Sequence, residues 1–226
     1  MKKLFPITWI LILSFSVTQI NAQEEMQYLF GGTDNNVSIS GFAGVFHEFS
    51  SINNEFAFSM GGGGALLINK KFFLGGYGLG LTTQHYWMFP KDVKPTIHDN
   101  YTRFGHGGFW LGYIYKPHKV IHFSVNTKLG WGTVSLTDKL YRDPSDRWES
   151  MMYDNVFVIT PELAVGLNLF KWMRLNAAVG YRFVSGVDKS YIYKIDEVFY
   201  EKAYFESDAF NSVTGNITLA FGWFNK

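Results

Sequence analysis

The sequence predicts an all-β fold, an eight-stranded antiparallel up-and-down barrel. Three observations predict it. Apolar and polar residues alternate with a period of two through most of the chain, which is the pattern of half-exposed strands. After residue 22, no apolar run is long enough for a membrane-spanning helix. Of the 23 glycines, all but Gly31 and Gly32 lie inside the predicted strands, and the aromatic content of 19% is high for a soluble domain.

The first residues have the features of an export signal. Lys2 and Lys3 precede an uncharged apolar stretch over residues 4–20, and Ala22 is a small residue at a suitable cleavage position. A membrane-anchor helix is the alternative, but the stretch is short and contains Pro6. We expect a signal peptide at 1–22, a periplasmic N-terminal segment at 23–36 and a barrel domain at 37–226.

Composition excludes several classes of function. The sequence has no cysteine, so disulfides, thiolate metal sites, a cysteine nucleophile and a lipidated N-terminal cysteine are excluded. Its 20 Lys and Arg residues nearly balance its 19 Asp and Glu residues, which gives no basic face for nucleic acid. An exported chain of this kind is either a secreted all-β domain or an outer-membrane barrel.

The alternation separates an apolar face from a polar or small face. In residues 173–183 (MRLNAAVGYRF), the odd positions are mostly large and apolar, whereas the even positions include Arg174 and Arg182. Residues 121–131, 157–169 and 213–223 alternate in the same way. The predicted strands are 37–49, 55–69, 72–87, 103–116, 120–136, 155–170, 173–186 and 211–224.

The connections alternate in length along the chain. Residues 70–71, 117–119 and 171–172 are predicted short turns, and 50–54, 88–102, 137–154 and 187–210 are predicted longer loops. Short periplasmic turns and longer extracellular loops are typical of small transmembrane barrels. An even number of strands also places both chain ends on the side of the short turns.

Aromatic residues near the strand ends predict two belts at the bilayer interfaces. The loop-side belt would contain Tyr86, Trp87, Phe104, Trp131 and Phe157, and the turn-side belt would contain Phe72, Phe73, Tyr115, Trp172 and Trp223. The strand glycines are expected to relieve crowding in a narrow barrel.

Two features do not follow the pattern. Pro161 lies inside the sixth predicted strand, where a closed barrel has no free edge, so we expect a bulge there or a position near the loop end. In the first strand, Ile39 and Val45 lie on the face opposite Phe42 and Phe46, so its orientation stays open.

With this pattern, the mature chain resembles the eight-stranded outer-membrane barrels of Gram-negative bacteria, the group that includes the OmpA membrane domain and OmpX-like and OmpW-like proteins. Residues 217–224 (ITLAFGWF) resemble the terminal strand recognised by the barrel assembly machinery, although Asn225 and Lys226 follow the aromatic end. The resemblance is architectural, so it assigns no functional residue.

Charged residues on the polar or small face of the strands, the minority face, predict a polar network in the lumen. If a three-residue turn joins the sixth and seventh strands, Glu162 faces Arg182 as an interior ion pair. These side chains would fill and rigidify a narrow lumen, and the functional alternative is a small or gated polar pore. The predicted lumen network comprises Lys128, Glu162, Arg174, Arg182, Asn126 and Asn176.

The histidines give no firm catalytic site, and we predict that the protein is not an enzyme. His122 and Ser124 would face the lumen near the turn end, His85 would point outward near the loop end, and His47 with Glu48 and Ser50 forms only a local cluster. No recurring His or carboxylate spacing indicates a metal site, and no cofactor is expected.

The last long loop holds the candidate recognition surface. Residues 190–205 (SYIYKIDEVFYEKAYF) are rich in strand-forming aromatic residues, and they predict a hairpin that turns near Asp196 and Glu197. The alternative is a strand extension that shields its own aromatic side chains. The candidate surface comprises Tyr191, Tyr193, Phe199, Tyr200, Tyr204 and Phe205.

The leading functional hypothesis is therefore an outer-membrane barrel with a structural or recognition role through its extracellular loops. Its expected partners are outer-membrane lipid and lipopolysaccharide, the barrel assembly machinery during insertion, and an extracellular ligand or protein. OmpW-like passage of small apolar molecules and an outer-leaflet lipid-modifying enzyme stay open. A soluble lipocalin-like barrel is also open, but charges on the minority face favour the inverted, membrane-type arrangement.

Overall fold

The computed structural model describes residues 37–87, 100–138, 150–195 and 198–224. The predicted signal peptide at 1–22 and the N-terminal segment at 23–36 lie outside the described residues. Among the residues that are described, no helix is long and apolar enough to cross a membrane. The secondary structure of these ranges is β-strand with connecting turns.

Eight spanning segments close into one antiparallel barrel, as predicted. Each pairs with the next along the chain, and the first pairs with the last, because Phe42 lies opposite Gly222. A separate two-stranded hairpin lies in the last long connection. The strands are β1 (Ile39–Ile52), β2 (Glu55–Ile68), β3 (Phe72–Leu81), β4 (His85–Trp87), β5 (Asn100–Tyr115), β6 (Ile121–Asp138), β7 (Ser150–Phe170), β8 (Met173–Ser185), β9 (Ser190–Ile195), β10 (Val198–Ala203) and β11 (Ser212–Gly222).

The third spanning segment is interrupted, which the sequence pattern did not indicate. β3 ends at Leu81, and after three intervening residues β4 pairs with the same edge of β5, starting at His85. The two pieces together correspond to the predicted strand 72–87. The described barrel therefore consists of β1, β2, β3 with β4, β5, β6, β7, β8 and β11.

The register around the barrel is staggered. A path of directly paired residues leaves β1 at Ile39 and returns to β1 at Phe49, ten residues further along. Such a stagger requires strands tilted by roughly 35–45° to the barrel axis. The path passes through Ile39, Ile68, Phe72, Tyr113, Val125, Leu163, Val179, Gly215 and Phe49.

The outer face of the barrel is apolar and the inner face carries the charges. Phe109 on β5 and Val125 on β6 are 56% and 58% exposed, whereas Lys128 and Arg182 are fully buried inside. In β1, Phe46 and Glu48 point inward and Val45 points outward. The orientation that the sequence left open is thus settled by burial, with Phe42 on the inner face.

Both barrel ends have structured connections. At the turn end, residues 69–71, 116–120 and 171–172 connect the strands, close to the predicted turns. At the loop end, the prediction of a longer loop at 50–54 is wrong. Asn53 and Asn54 form a two-residue hairpin turn with φ values of 50° and 64°. Asparagine tolerates this left-handed backbone, and a turn with two such residues matches the twist of paired strands.

Pro161 is accommodated in an unexpected way. It lies in the middle of β7, opposite Thr127 of β6, and its side chain is exposed on the outer face. Toward β8, pairing is interrupted between Ile159 and Glu162, but the register is the same on both sides. The expected bulge at Pro161, or a place near the loop end, is therefore wrong. The strand tolerates the proline by omitting local pairing on one edge.

The predicted aromatic belts also need two corrections. Phe73 and Phe104 point into the barrel and are buried, since each occupies an inward position of its strand. Other members are exposed on the outer face, and Tyr86, Trp131 and Phe157 lie toward the loop end. The exposed members toward the turn end are Phe72, Tyr115, Trp172 and Trp223.

Two apolar clusters fill much of the interior. The loop-end cluster contains Phe104, Val134, Val158, Phe205 and Phe210 among its buried members. The turn-end cluster is built mainly of aromatic side chains, and the loop-end cluster mainly of aliphatic ones. The turn-end cluster contains Phe46, Leu67, Phe73, Tyr77, Trp110 and Phe224, with Phe42 packed against it.

Candidate functional site

Four buried charges form a layer inside the barrel. Arg182 Nη1 donates to Glu48 Oε1 at 3.0 Å, and Lys128 Nζ donates to Glu162 Oε1 at 2.5 Å. The two pairs are linked, because Lys128 Nζ lies 4.0 Å from the other Glu48 oxygen. We call these four residues the charge layer. Two cations and two carboxylates balance, which is the condition under which buried charges are tolerated.

Each member of the charge layer reaches the interior from a different strand. Glu48 comes from β1, Lys128 from β6, Glu162 from β7 and Arg182 from β8. Each lies at an inward position of its alternating strand, so closure of the barrel brings the four side chains together. The sequence identified three of them, and it missed the partnership of Glu48 because the orientation of β1 was open.

The predicted ion pair between Glu162 and Arg182 is wrong. The connection from β7 to β8 is a two-residue turn at 171–172, and the register shifts just before it, between Asn168 and Phe170. Gly180 therefore lies opposite Glu162. Within the described residues, Glu162 pairs with Lys128 and Arg182 pairs with Glu48.

Arg182 is held by more than its carboxylate partner. Its Nε donates to the carbonyl of Phe210 at 3.0 Å, and its Nη2 donates to the carbonyl of Ser51 at 3.1 Å. The Ser50 hydroxyl accepts a further bond from Nη1 at 3.1 Å. The guanidinium therefore joins the first hairpin to the end of the last loop, and these contacts compensate for the removal of the charge from water.

The last loop closes the barrel at the loop end. Phe205 and Phe210 are buried in the loop-end cluster, with ring centroids 5.2 Å apart. The Asn53 N–H donates to the Ala209 carbonyl at 2.7 Å, and the Val184 N–H donates to the Asn211 side chain at 2.7 Å. Residues 204–211 thus form a cap over this mouth of the barrel.

The other predicted lumen residues lie between the charge layer and the turn end. Asn126 accepts a hydrogen bond from Trp110 Nε1 at 3.2 Å. The Arg174 guanidinium lies 4.0 Å from the ring centroid of Phe224, and its Nη2 is 3.5 Å from the Pro117 carbonyl. Among the described residues, Arg174 forms no ion pair, which distinguishes it from Lys128 and Arg182.

A small cavity lies beside these residues. It is lined on one side by Phe42, Trp110 and Phe224, and on the other by polar residues that include Arg174 and Asn176. Its volume is about 30 Å³, which is room for roughly one or two water molecules. The interior therefore combines a polar layer with two apolar clusters, and the description of a lumen filled mostly by polar side chains is incomplete.

Two of the histidines that the sequence singled out, His85 and His122, are buried. His122 and Ser124 line the interior cavity, as expected from their positions on the inward face of the strand. His85 is buried rather than outward, and it lies between Glu55 Oε2 at 3.2 Å and Thr83 Oγ1 at 3.0 Å. Thr83 Oγ1 also accepts the Phe58 N–H at 3.1 Å. This chain of bonds supports the backbone where the third spanning segment is interrupted.

No group of three or more His, Asp or Glu side chains that could hold a metal ion occurs in the described part of the chain. The prediction of no catalytic residue stays a prediction, as does the absence of a cofactor.

The predicted hairpin in the last loop is present. β9 and β10 pair along their length, with Tyr193 opposite Tyr200. The connecting residues 196–197 lie outside the described residues. Phe199 and Ile192 are 71% and 70% exposed, and Val198 and Tyr200 are also exposed.

The candidate recognition surface is corrected at two positions. Tyr191 and Phe205 are buried, since Tyr191 packs on Tyr204 with centroids 5.1 Å apart and Phe205 packs on Phe210. Tyr204 is partly buried, and burial raises the pKa of its hydroxyl. Among the described side chains of the hairpin, the large exposed hydrophobic ones are Ile192, Val198, Phe199 and Tyr200, which we call the hairpin patch. The side chain of Tyr193 lies outside those that are described.

Comparisons with known proteins concern architecture. No protein-family model matches the chain, and no curated protein matches it at a significant level. Solved structures do match. Neisserial surface protein A has 10% identity over 84% of this chain and 99% of its own, with a TM-score of 0.45.

Two further structures are similar. A major outer membrane protein from Thermus thermophilus has 8% identity over 82% of this chain and 99% of its own, with a TM-score of 0.49. Ail, the attachment invasion locus protein of Yersinia pestis, has 10% identity over 82% of this chain and 96% of its own, with a TM-score of 0.40. The closed strand pairing itself establishes an eight-stranded antiparallel barrel.

Proposed function

We propose that the protein is an integral outer-membrane barrel with a closed lumen, and that it acts by recognition through its loops. The observation that carries the proposal is the inverted distribution of side chains. Charged residues are buried within a closed sheet, and large apolar residues are exposed on its outside. A water-soluble barrel would gain nothing from this arrangement, whereas a barrel in lipid requires an apolar exterior and satisfied backbone groups.

Fractionation of cells that express the full chain tests the membrane location. We expect the protein in the outer-membrane fraction after washing with alkaline carbonate, and we expect its electrophoretic mobility to change when the sample is heated. Recovery in the soluble periplasmic or secreted fraction would contradict the proposal. Analysis of the mature N-terminus by mass spectrometry would test separately the predicted cleavage after residue 22.

The interior supports a structural lumen more than a route for apolar molecules. The charge layer crosses the lumen, and Phe205 and Phe210 lie in the cap at the loop end. An apolar solute would have to displace both, and burying it against unpaired charges is unfavourable. Uptake of a fluorescent apolar dye into vesicles that contain the barrel would contradict a closed lumen and support passage of small apolar molecules.

The hairpin patch supports recognition through the last loop. Its four side chains lie on a two-stranded element, with Ile192 and Phe199 on one face and Val198 and Tyr200 on the other. Glu201 and Lys202 supply one adjacent charge on each face. Exposed aromatic side chains beside mixed charges are common at recognition sites. We propose an extracellular ligand or protein as the partner, contacted through Phe199 and Tyr200.

A paired substitution tests this role. The variant F199S/Y200S should keep the heat-dependent mobility shift but reduce binding of the intact cells to immobilised extracellular proteins or glycans. The matched control is F56S, which removes another exposed aromatic side chain at the loop end. Equal binding by the unchanged protein and both variants would contradict recognition through the hairpin patch.

The enzymatic alternative needs a separate test. Analysis of lipid A in a deletion strain would provide it.

A further inference from the structure

The described residues at the turn end of the barrel carry several positive charges and no carboxylate. Each of the three short turns contains lysine, and none contains an acidic residue. Among the residues described in 37–42, 67–73, 114–122, 169–175 and 220–224, none is Asp or Glu. The described carboxylates nearest to this end are those of Glu48 and Glu162, which are buried and ion-paired in the charge layer. The turn lysines are Lys70, Lys71, Lys116, Lys119 and Lys171.

Two of these turns meet to form a concave basic site. The pairing of β3 with β5 places the turn at 69–71 beside the turn at 116–120, and the Ile114 N–H donates to the Lys71 carbonyl at 2.7 Å. Between them lies a pocket of about 310 Å³. Its lining includes Lys70, Lys71, Lys116, His118, Tyr115 and Phe224.

The floor of this pocket adds to the positive potential. Phe224 lines both the basic pocket and the interior cavity, and the Arg174 guanidinium lies 4.0 Å from its ring centroid on the inner side. Arg174 forms no ion pair with a described residue, so no described carboxylate offsets its charge. Several cations facing one concave site repel each other, and an anionic ligand would relieve that repulsion.

The position of the site indicates the chemistry of the ligand. Exposed aromatic side chains surround the turn end, including Phe72, Tyr115 and Trp172. Aromatic residues of this kind lie at the level of lipid headgroups in membrane proteins. The turn lysines adjacent to them would therefore lie at the depth of the phosphates, where basic pockets bind anionic headgroups.

We propose that the pocket between the first and second short turns binds the phosphate headgroup of an anionic phospholipid in the leaflet that surrounds the turn end. The proposal rests on the membrane location proposed above. Lys71 and Lys116 approach the phosphate from opposite turns, and Tyr115 borders the acyl-chain side of the site.

The test uses the full mature chain folded in zwitterionic detergent micelles. Short-chain phosphatidylglycerol and the matching phosphatidylcholine are titrated in parallel, with binding followed by calorimetry. We expect a clear preference for phosphatidylglycerol. In the variant K71Q/K116Q that preference should fall by about 25-fold, since each lysine near an anionic lipid surface contributes roughly a fivefold effect.

Two controls accompany the lipid titration, a variant at the loop end and competition by inorganic phosphate. The variant K189Q/K202Q changes the net charge equally at the exposed loop end and should retain the preference. Equal affinity for the two lipids, or an equal loss in both variants, would overturn the proposal. Displacement of phosphatidylglycerol by millimolar inorganic phosphate would also overturn it, because it would identify free phosphate as the ligand.

The mobility shift on heating separates this proposal from the membrane location. Barrels that fold in micelles but show no lipid preference would refute the basic site alone. A protein recovered soluble, without detergent, would refute the membrane location and the lipid site together.

Discussion

Glu48 and Arg182 lie 134 residues apart in the chain, yet their side chains meet at 3.0 Å in the centre of the barrel, where both are fully buried. The contact joins the first spanning strand to the seventh and fixes the position of the cap through the carbonyl of Phe210. It is the contact on which the interior most clearly depends.

Substitution of Glu48 by Gln should strongly destabilise the barrel. Arg182 would keep its charge in the interior without a carboxylate, and loss of one partner of a buried pair costs about 3–5 kcal/mol. The free energy of unfolding, measured by urea titration of the barrel in vesicles, checks this expectation. The control is E55Q, which alters the exposed partner of His85 and should change stability by about 0–1 kcal/mol.

Double-mutant cycles should separate the true ion pairs from the predicted one. The cycle between E162Q and K128M should give a coupling energy within about 0.5–3 kcal/mol, because these side chains are in direct contact. The cycle between E162Q and R182M should give a clearly smaller value. A larger coupling in the second cycle would mean that the register of β7 and β8 differs from the one described.

Substitution of Gly112 by Ala should reveal crowding inside the wall. A Cβ at this position would lie 2.5 Å from a ring carbon of Phe73 and 2.6 Å from the Cβ of Asn126. Overpacking of this kind costs about 1–3 kcal/mol. The matched control is G215A on the outer face, where a Cβ would meet no atom within 4 Å. Similar stability for both variants would contradict the described packing.

Substitution of Asn54 by Val should weaken the first hairpin. Asn54 has a φ of 64°, and a left-handed backbone costs an ordinary L-residue about 1–2 kcal/mol. N54G should be neutral or slightly stabilising, since glycine adopts this conformation readily. Thermal unfolding of the two variants in detergent would reveal the difference, and equal midpoints would exclude a two-residue left-handed turn.

The sequence predicted the barrel well because alternation is a local property. In the first part of β6 and of β8, charged residues alternate with large apolar ones, so Lys128 and Arg174 could be placed inside without knowledge of any partner. The tight turns at Lys171 and Trp172 followed from the same alternation. Prediction failed where the outcome depends on long-range register. A register error of two residues was enough to assign Arg182 to Glu162 in place of Lys128; one residue comes from the turn length and one from the irregularity near Asn168.

Other predictions failed because the side of the barrel wall that a residue occupies, or its burial, depends on tertiary contacts. Phe73 and Phe104 are aromatic residues near strand ends, and position along a strand does not reveal which side of the wall they occupy. Tyr191 and Phe205 are buried because the cap folds back onto the barrel, which depends on contacts with Tyr204 and Phe210. Glu48 lies on a strand with large apolar residues on both faces. The sequence therefore could not assign its face, and its interior position became evident only from the closed barrel.

The pairing of β1 with β11 has a consequence for the order of folding. Phe42 cannot meet Gly222 until nearly the whole chain has been made, so closure of the sheet is the last pairing to become possible. Contacts of such long sequence separation form slowly, because the entropy of closing the loop must be overcome first. Until then both sheet edges expose unpaired backbone groups and invite pairing with other chains. Efficient folding therefore depends on protecting these two edges until they meet.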